Sequence, residues 1–269
     1  MAWSDRQRHM LQAMGLRVWG PADAVLPATV AEPVEVARVV QPRPAAAPAA
    51  APVPARPAPA AAGPPELQGA RAQTIATLAW PALREAVQAC TACSLCRERR
   101  QTVFGVGHLQ AHWMVVGEAP GEQEDASGEP FVGAAGQLLD NMLHALSLTR
   151  SEEGPAPPAQ RVYIANTLKC RPPRNRNPAP EEMAQCEPFL LRQIELLRPR
   201  VILAMGRFAV HALLRTSEPI GKLRGRVHRY QGVPMVVTYH PAYLLRNLPD
   251  KARAWEDLCL AADTVAVSA

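Results

Sequence analysis

Four cysteines at two separated places in the chain are the residues whose types and spacing most directly indicate chemistry. Cys90 and Cys93 form a Cys-x-x-Cys pair, and Cys170 and Cys186 follow much later in the sequence. The N-terminal residues contain no apolar signal-peptide core, and no stretch has the roughly 18 unbroken apolar residues of a membrane span. We therefore expect a cytoplasmic protein with no membrane partner, in which reduced thiols bind metal or carry out redox work.

The spacing of the cysteines leaves two kinds of metal site open. Thiolates bind zinc or an iron–sulfur cluster, and spacing alone does not separate the two. Cys96 continues the spacing of a ferredoxin ligand run, but Arg100 stands where the fourth ligand of that run would be. Cys96 therefore competes with a distant cysteine for the third ligand position. Cys259 stands alone in a helical pattern and is expected to be a small buried hydrophobe.

The elements that position these residues are short apolar runs that alternate with helical patterns. The runs are residues 113–116, 162–165, 201–205 and 235–238, and the helical patterns are residues 134–146, 180–197 and 208–214. This alternation predicts an α/β fold, a three-layer αβα arrangement around a short central parallel sheet of about four strands. Ligands of such sheets bind at the carboxyl ends of the strands, so we expect the site in the segments that follow the runs.

The composition divides the chain into three parts. Residues 1–20 contain apolar side chains at helical spacing, which predicts a short helix that docks onto a protein partner or onto the main domain. Between residues 41 and 65, 20 of 25 residues are Pro or Ala, which is typical of an extended disordered spacer, and we assign residues 21–65 to this linker. Residues 66–269 are then one folded domain, long enough for a single substantial core.

Charge is distributed unevenly along the chain. The formal net charge is +5, and cations are dense in residues 169–176, whereas Glu118, Glu122 and Glu124 lie in one short segment after the first apolar run. Basic residues beside an acidic pocket suit a polyanionic partner whose reacting centre is not itself a phosphate.

Three motifs together resemble a known family. They are GEAPGEQEDASGEPFVGAAGQLL (residues 117–139), NTLKCRPPRNRNPAP (residues 166–180) and HPAYLLRN (residues 240–247). In this order, and with this cysteine spacing, they are similar to the signatures of the family 4 uracil-DNA glycosylases. The resemblance runs from residue 90 to residue 247. It implies a monomeric enzyme of base excision repair that hydrolyses the N-glycosidic bond of uracil in single- or double-stranded DNA and leaves an abasic site.

The resemblance also implies a cofactor and its ligands. Family members hold a 4Fe–4S cluster through the positions that match Cys90, Cys93, Cys170 and Cys186, which favours iron over zinc. Cys96 is then not a ligand. Since Cys170 lies in the basic run, the cluster is expected to act as a structural clip that holds those cations near DNA.

Catalytic roles follow from the same motifs. Phe131 matches the ring that stacks on a base turned out of the helix. Asn166 offers a donor and an acceptor that complement uracil O4 and N3–H and mismatch cytosine. His240 matches the histidine that donates to uracil O2, where negative charge builds as the sugar–base bond breaks.

Two positions depart from the wider superfamily. Ala119 stands where its best-known members have an aspartate that orients water, and Gly121 stands where they have a tyrosine that blocks the thymine methyl group. Water must then be positioned by another group. The candidates are Asn166, Glu124 and the backbone of Glu118. Glu118 and Ala119 are expected to line the base pocket, and Glu124 is the nearest bulky residue for thymine exclusion.

Contacts with DNA are expected from two segments. Leu244 or Leu245 is predicted to be an exposed apolar wedge that fills the gap left by the flipped base. Arg171 and Arg174 of the basic run, and Arg246 after the leucines, are predicted to contact the DNA backbone.

Two alternatives differ in function class. A non-catalytic iron–sulfur protein that binds nucleic acid or senses redox state would need no leaving-group stabiliser, so the joint presence of Asn166, Phe131 and His240 argues against it. A related branch that becomes covalently trapped on uracil-DNA carries a basic loop with its own histidine after the second strand. Residues 169–180, which occupy that place, contain no histidine.

Overall fold

A computed structural model describes residues 65–267 of the chain. The helix predicted in residues 1–20 and all but the last residue of the linker predicted in residues 21–65 lie outside this range. Within the described residues, no helix is both long enough and apolar enough to cross a membrane.

A parallel sheet forms the centre of the domain. The four predicted strands are present as β2 (Trp113–Gly117), β3 (Val162–Asn166), β4 (Val201–Met205) and β6 (Val233–Thr238). They lie side by side in the order β3-β2-β4-β6, and each neighbouring pair is parallel. Every residue of β2, β3 and β4 is buried, as expected for strands that are covered on both faces. The predicted three-layer fold with four parallel strands is confirmed.

Two antiparallel edge strands, β1 (Val106–Gly107) and β5 (Val227–Tyr230), extend this sheet to six strands and were not predicted. The first pairs with β3 and the second pairs with β6. A two-residue turn joins β5 to β6, and both of its residues, Gln231 and Gly232, have positive φ values of 49° and 82°. This is the backbone of the tight hairpin turns that match the twist of the strands.

Helices cover both faces of the sheet. In the described residues they are α1 (Pro65–Thr77), α2 (Trp80–Gln88), α3 (Glu122–Ser127), α4 (Ala134–Ala145), α5 (Pro180–Leu197), α6 (Arg207–Leu214), α7 (Ile220–Leu223), α8 (Pro241–Leu244) and α9 (Asp250–Val267). Helices α4 and α9 bury their apolar stripes on one face, and α5 and α6 bury theirs on the other. A third cluster, between α1, α2 and α5, contains the side chains of Cys170 and Cys186.

The ends of the parallel strands meet at one edge of the sheet. Strand β2 ends at Gly117, β3 ends at Asn166, and β6 is followed within two residues by His240. Strand β4 leads into Gly206, whose φ of 86° turns the chain sharply into α6. The sheet thus brings together three segments that are far apart in sequence, at the edge predicted to hold the site.

Candidate active site

An open pocket lies at this edge, and its wall contains residues from all three motifs. The predicted site residues in its lining are Glu118, Ala119, Glu124, Phe131, Asn166, His240 and Arg246. The sequence did not single out Arg207 or Phe208, which follow β4 and complete the opposite wall. Their position directly after the predicted strand β4 could have indicated them, since the segment after each parallel strand borders the same crevice.

Asn166 lines this pocket and has a buried amide oxygen without a hydrogen-bond partner in the described part of the chain. Its side chain is 2% exposed, and Oδ1 has no hydrogen-bond partner in the described part of the chain. A buried polar atom without a partner costs about 1–3 kcal/mol, so its retention favours a ligand that supplies the missing donor. Gly117 allows this arrangement, because a Cβ there would lie 2.6 Å from Phe131 Cζ and would also collide with Asn166 Oδ1.

Phe131 is held in an unusual backbone conformation. Its φ is 56°, in the left-handed region that non-glycine residues rarely adopt, at a cost of roughly 1–3 kcal/mol. Arg150 stabilises the turn by donating to the carbonyl oxygens of Pro130 (3.0 Å) and Phe131 (3.1 Å). The ring lies against the imidazole of His240, with centroids 5.4 Å apart and planes 27° from parallel.

The carboxylate of Glu124 shapes the same loop. It accepts hydrogen bonds from the backbone N–H groups of Gly121 (3.1 Å), Val132 (3.0 Å) and Gly133 (3.1 Å). Its Oε2 also lies 2.7 Å from where a Cβ on Gly121 would be, so it fills the space of a side chain at that position. These contacts show that Glu124 holds the loop in shape, and its role in positioning water stays a prediction.

His240 is neutral and has a defined tautomer. Its Nδ1 accepts a hydrogen bond from the backbone N–H of Ala242 at 3.2 Å, which requires that Nδ1 carry no proton. The proton of the neutral ring is then on Nε2. Burial lowers the pKa of His240 to about 4, and the charge of Arg246 acts in the same direction, whereas Glu124 opposes both. The ring is therefore a neutral hydrogen-bond donor at physiological pH.

The backbone carbonyl of Glu118 is bonded within the protein. It accepts hydrogen bonds from Thr167 Oγ1 (2.5 Å) and Leu168 N (3.1 Å), so both acceptor positions of this oxygen are used. The side chain is half-buried in the pocket wall. Burial raises the pKa of its carboxyl group, and the positive charge of Arg207 partly offsets this effect.

The two candidate wedge residues lie in different environments. Leu244 is fully buried in the core cluster that contains side chains of α4 and α9, so the prediction of an exposed wedge is wrong for this residue. Leu245 is 42% exposed, because α8 ends at Leu244 and the next side chain turns outward. Arg174 and Arg246 are exposed, and half-buried Arg171 donates to Asn175 Oδ1 at 2.8 Å.

The predicted metal ligands lie together in a separate pocket. Its lining contains Cys90, Cys93, Cys96, Cys170 and Cys186, the cations Arg99 and Lys169, and apolar side chains. Burial raises the pKa of Cys93, Cys170 and Cys186, and that of Cys186 reaches about 12. Cys259 lies elsewhere, on α9.

Two cations beside this pocket were missed from the sequence. Arg99 donates to Cys170 Sγ at 3.0 Å. Lys169, which belongs to the basic run of residues 169–176, is buried, and its Nζ donates to the carbonyl oxygen of Asn166 and to Gln193 Oε1. The Arg99–Cys170 and Lys169–Gln193 contacts have no local sequence signal, because each joins residues whose proximity depends on the fold.

With this geometry established, comparisons with known proteins identify the family. The model of the uracil DNA glycosylase superfamily matches residues 104–259. The chain belongs to this superfamily. It is 44% identical to a type-4 uracil-DNA glycosylase of Thermotoga maritima over 63% of the chain and 84% of the relative. It is 41% identical to a type-4 uracil-DNA glycosylase of Archaeoglobus fulgidus over 59% of the chain and 79% of the relative.

Similarity to another branch of the superfamily is lower. A type-5 uracil-DNA glycosylase of Pyrobaculum aerophilum is 34% identical over 52% of the chain and 66% of the relative. The resemblance to the family 4 branch, which the three motifs indicated, is thereby confirmed. The superfamily match runs from just before β1 to the middle of α9 and therefore includes every strand end that borders the pocket.

Proposed function

We propose that this protein hydrolyses the N-glycosidic bond of uracil in DNA, releases the free base and leaves an abasic site. The observation that carries this proposal is the unpaired Oδ1 of buried Asn166, beside a neutral His240 and the ring of Phe131. The names of the relatives support the same reaction. A binding or redox protein without catalysis has no use for a preorganised donor of this kind.

Recognition of uracil rests on a stack and an edge. The ring of Phe131 offers a face for a base that has left the helix. The Oδ1 of Asn166 accepts from uracil N3–H, and the amide N–H₂ donates to O4. Cytosine presents an acceptor at N3 and a donor at N4, so the same amide orientation would leave a mismatched pair in a buried site.

Bond cleavage rests on His240. As the bond from N1 to the sugar breaks, negative charge moves onto the base and its O2. A donor that is already in place stabilises this charge without reorganisation, and loss of such a donor typically costs about 10²–10³-fold in rate. The Nε2–H of neutral His240 suits this role, because its proton stays on the ring and the base departs as an anion.

Water attack and thymine exclusion have candidates among the carboxylates. The side chain of Glu118 is the carboxylate in the pocket wall that has no described backbone hydrogen bond, so we assign water positioning to it. We assign thymine exclusion to Glu124, because its carboxylate fills the space of a side chain at Gly121. The developing positive charge on the sugar is stabilised by these carboxylates and by the DNA phosphates.

A 4Fe–4S cluster fits the cysteine pocket. Within the described residues, no three His, Cys, Asp or Glu side chains converge closely enough to hold one metal ion, as a mononuclear zinc site requires. The cysteines instead surround a largely apolar pocket, which suits a polynuclear cluster with soft ligands. Cys90, Cys93, Cys170 and Cys186 would hold it. The cluster would supply a covalent cross-link between the segment after α2, the loop after β3 and α5.

The reaction is expected to be hydrolysis without strand cleavage. A lyase needs a lysine amine that is free to attack the sugar. The chain has three lysines, Lys169, Lys222 and Lys251, and both Lys169 and Lys251 are buried. Lys222 is exposed on α7, which is not part of any of the three motifs.

We place Leu245 as the wedge, with Arg171, Arg174 and Arg246 on the DNA backbone.

An assay on end-labelled oligonucleotides tests this function. One strand carries a single uracil and is offered alone, opposite adenine and opposite guanine, with a thymine strand as the control. We expect free uracil and a break at the uracil position only after alkali, with no protein–DNA adduct after borohydride. Intact strands after alkali would refute the proposal, and a trapped adduct would refute the monofunctional mechanism.

A further inference from the structure

A buried lysine joins the cysteine pocket to the residue that recognises the base. Lys169 is 1% exposed, and its Nζ donates to the carbonyl oxygen of Asn166 (2.8 Å) and to Gln193 Oε1 (2.7 Å). Gln193 is itself fully buried, and its Nε2 donates to the carbonyl oxygen of Phe104 at 2.9 Å. This chain of hydrogen bonds connects the backbone carbonyl of Asn166 to the carbonyl of Phe104 through Lys169 and Gln193.

The charge of Lys169 has no carboxylate partner among the described residues. Both of its side-chain hydrogen bonds go to neutral oxygens. A buried ammonium group is costly unless an opposite charge compensates it. Lys169 lines the same pocket as Cys186 and Cys170, whose sulfurs can carry negative charge, and the backbone N–H of Lys169 donates to Cys186 Sγ at 3.2 Å.

We propose that Lys169 is a positioning residue that holds the base-recognising Asn166 in place and serves as the buried counter-charge of the metallated cysteine site. The thiolates of an assembled cluster compensate the ammonium group, and the ammonium group orders the end of β3. Recognition of uracil thereby depends on the cluster through one side chain. The proposal rests on the function proposed above and adds a coupling between the two sites.

Arg99 provides a matched contrast. Its guanidinium contacts Cys170 Sγ at 3.0 Å and the carbonyl oxygen of Gln88 at 3.0 Å, but it has no contact with Asn166. Arg99 and Lys169 therefore both place positive charge beside the cysteines, and of these two only Lys169 has a hydrogen bond to Asn166. Replacement of either by methionine removes the charge and keeps an unbranched side chain.

The test uses the full chain with its cluster assembled and has two readouts. The first is the ratio of affinities for two oligonucleotides, one with a single 2′-fluoro-2′-deoxyuridine, whose glycosidic bond resists cleavage, and one with thymidine at the same place. The second is the midpoint potential of the cluster. For Lys169→Met, we expect the affinity ratio to fall about 10-fold or more and the potential to become more negative, because a nearby cation favours the added electron.

Two further variants separate the effect on base recognition from the effect on the cluster potential. Arg99→Met should also lower the potential but leave the affinity ratio within about twofold of the wild-type value. Gln193→Met, which removes one partner of Nζ and keeps the charge, should lower the ratio less and leave the potential unchanged. It also serves as the test if Lys169→Met does not fold.

Two results would overturn the proposal. One is an unchanged affinity ratio in Lys169→Met, or in Gln193→Met if the first variant does not fold. The other is an unchanged potential in Lys169→Met. A wild-type protein that does not prefer uracil would instead refute the proposed function, so the two failures are distinguishable.

Discussion

The imidazole of His240 has one nitrogen bonded to the backbone and one available to a ligand. Because Ala242 N–H donates to Nδ1, the ring is fixed as the tautomer that carries its proton on Nε2. Burial and Arg246 disfavour a second proton. A neutral donor stabilises the departing base without giving up its proton, which suits a leaving group that departs as an anion.

The depressed pKa of His240 predicts how the ring titrates. An unperturbed histidine gains its proton near pH 6.5, whereas burial lowers the pKa of His240 to about 4. We expect His240 to stay neutral down to about pH 5. Imidazole ¹⁵N–¹H spectra, assigned with His240→Gln, would check this, and a transition centred near pH 6.5 would contradict it.

The same shift has a consequence for stability. The pKa of His240 is lower in the folded state than in the unfolded state, so the unfolded chain binds more protons in this range. The contribution of this group to folding is therefore complete above about pH 6.5 and is lost as the pH falls towards 4.

Asn166 is expected to determine which base enters the pocket. Its carboxamide suits uracil, whereas a protonated carboxyl group at this position donates to cytosine N3 and accepts from N4. We predict that Asn166→Asp lowers the single-turnover rate on uracil by about 10²-fold and introduces slow release of cytosine, most visible at acid pH. Base release from matched uracil and cytosine oligonucleotides measures this. Undiminished uracil cleavage would show that Asn166 does not recognise the base.

At the scale of elements, the pocket depends on the loop between α3 and α4. Phe131 has a positive φ, and Glu124 and Arg150 supply hydrogen bonds that hold its turn. We predict that Glu124→Ala lowers the free energy of unfolding by about 1–3 kcal/mol and the single-turnover rate by about 10-fold or more, because three partly buried N–H groups lose their acceptor. Chemical denaturation and uracil release measure the two effects.

Glu129→Ala is the control for this prediction. Glu129 is exposed in the same loop, so both quantities should stay close to the wild-type values. Equal effects of the two substitutions would contradict the role assigned to Glu124.

The sequence was sufficient to predict the elements that are long and regular. The apolar runs gave the four parallel strands, and the helical pattern of residues 180–197 has the bounds of α5. Strand β1 has only two residues. Strand β5 has two exposed positions and one partly buried position among its four, so neither strand has an apolar run. Edge strands of this kind depend on pairing with a neighbour that the local sequence does not specify.

The candidate site was predictable in its members but not in all of their contacts. The motifs identified Asn166, Phe131 and His240, which the sheet brings into one pocket. Adjacent leucines gave no indication of which one is buried, since that depends on how the short helix α8 packs against α4. The burial of Lys169 was also hidden, because a lysine in a run of cations has the pattern of an exposed residue.

At the scale of the whole molecule, the cysteine pocket joins the N-terminal helices to the sheet. Helices α1 and α2 pack on α5 around the hydrophobic cluster of side chains that includes Cys170 and Cys186. Burial raises the pKa of these thiols, so the proposed 4Fe–4S cluster would have to displace their protons as it binds. Its assembly would therefore be coupled to the docking of these helices.

We predict that purified protein absorbs visible light and that Cys186→Ala abolishes this absorption and lowers the melting temperature by several degrees. Cys259→Ala should retain the absorption, because Cys259 lies on α9, away from the pocket. Cys96→Ala should also retain it, although Cys96 lines the pocket. Iron, sulfide and zinc analysis with visible spectroscopy measures this. Colourless protein with one zinc ion per chain would contradict the cluster assignment.

The claim that connects these scales is that the sheet holds a neutral His240 where charge appears only in the transition state. The most direct measurement compares His240→Ala with the wild type in two ways, by single-turnover release of uracil and by affinity for DNA with a non-cleavable deoxyuridine. We expect the rate to fall about 10²-fold or more and the affinity to change by less than about threefold. A variant that binds this DNA weakly but cleaves uracil at the wild-type single-turnover rate would contradict the account.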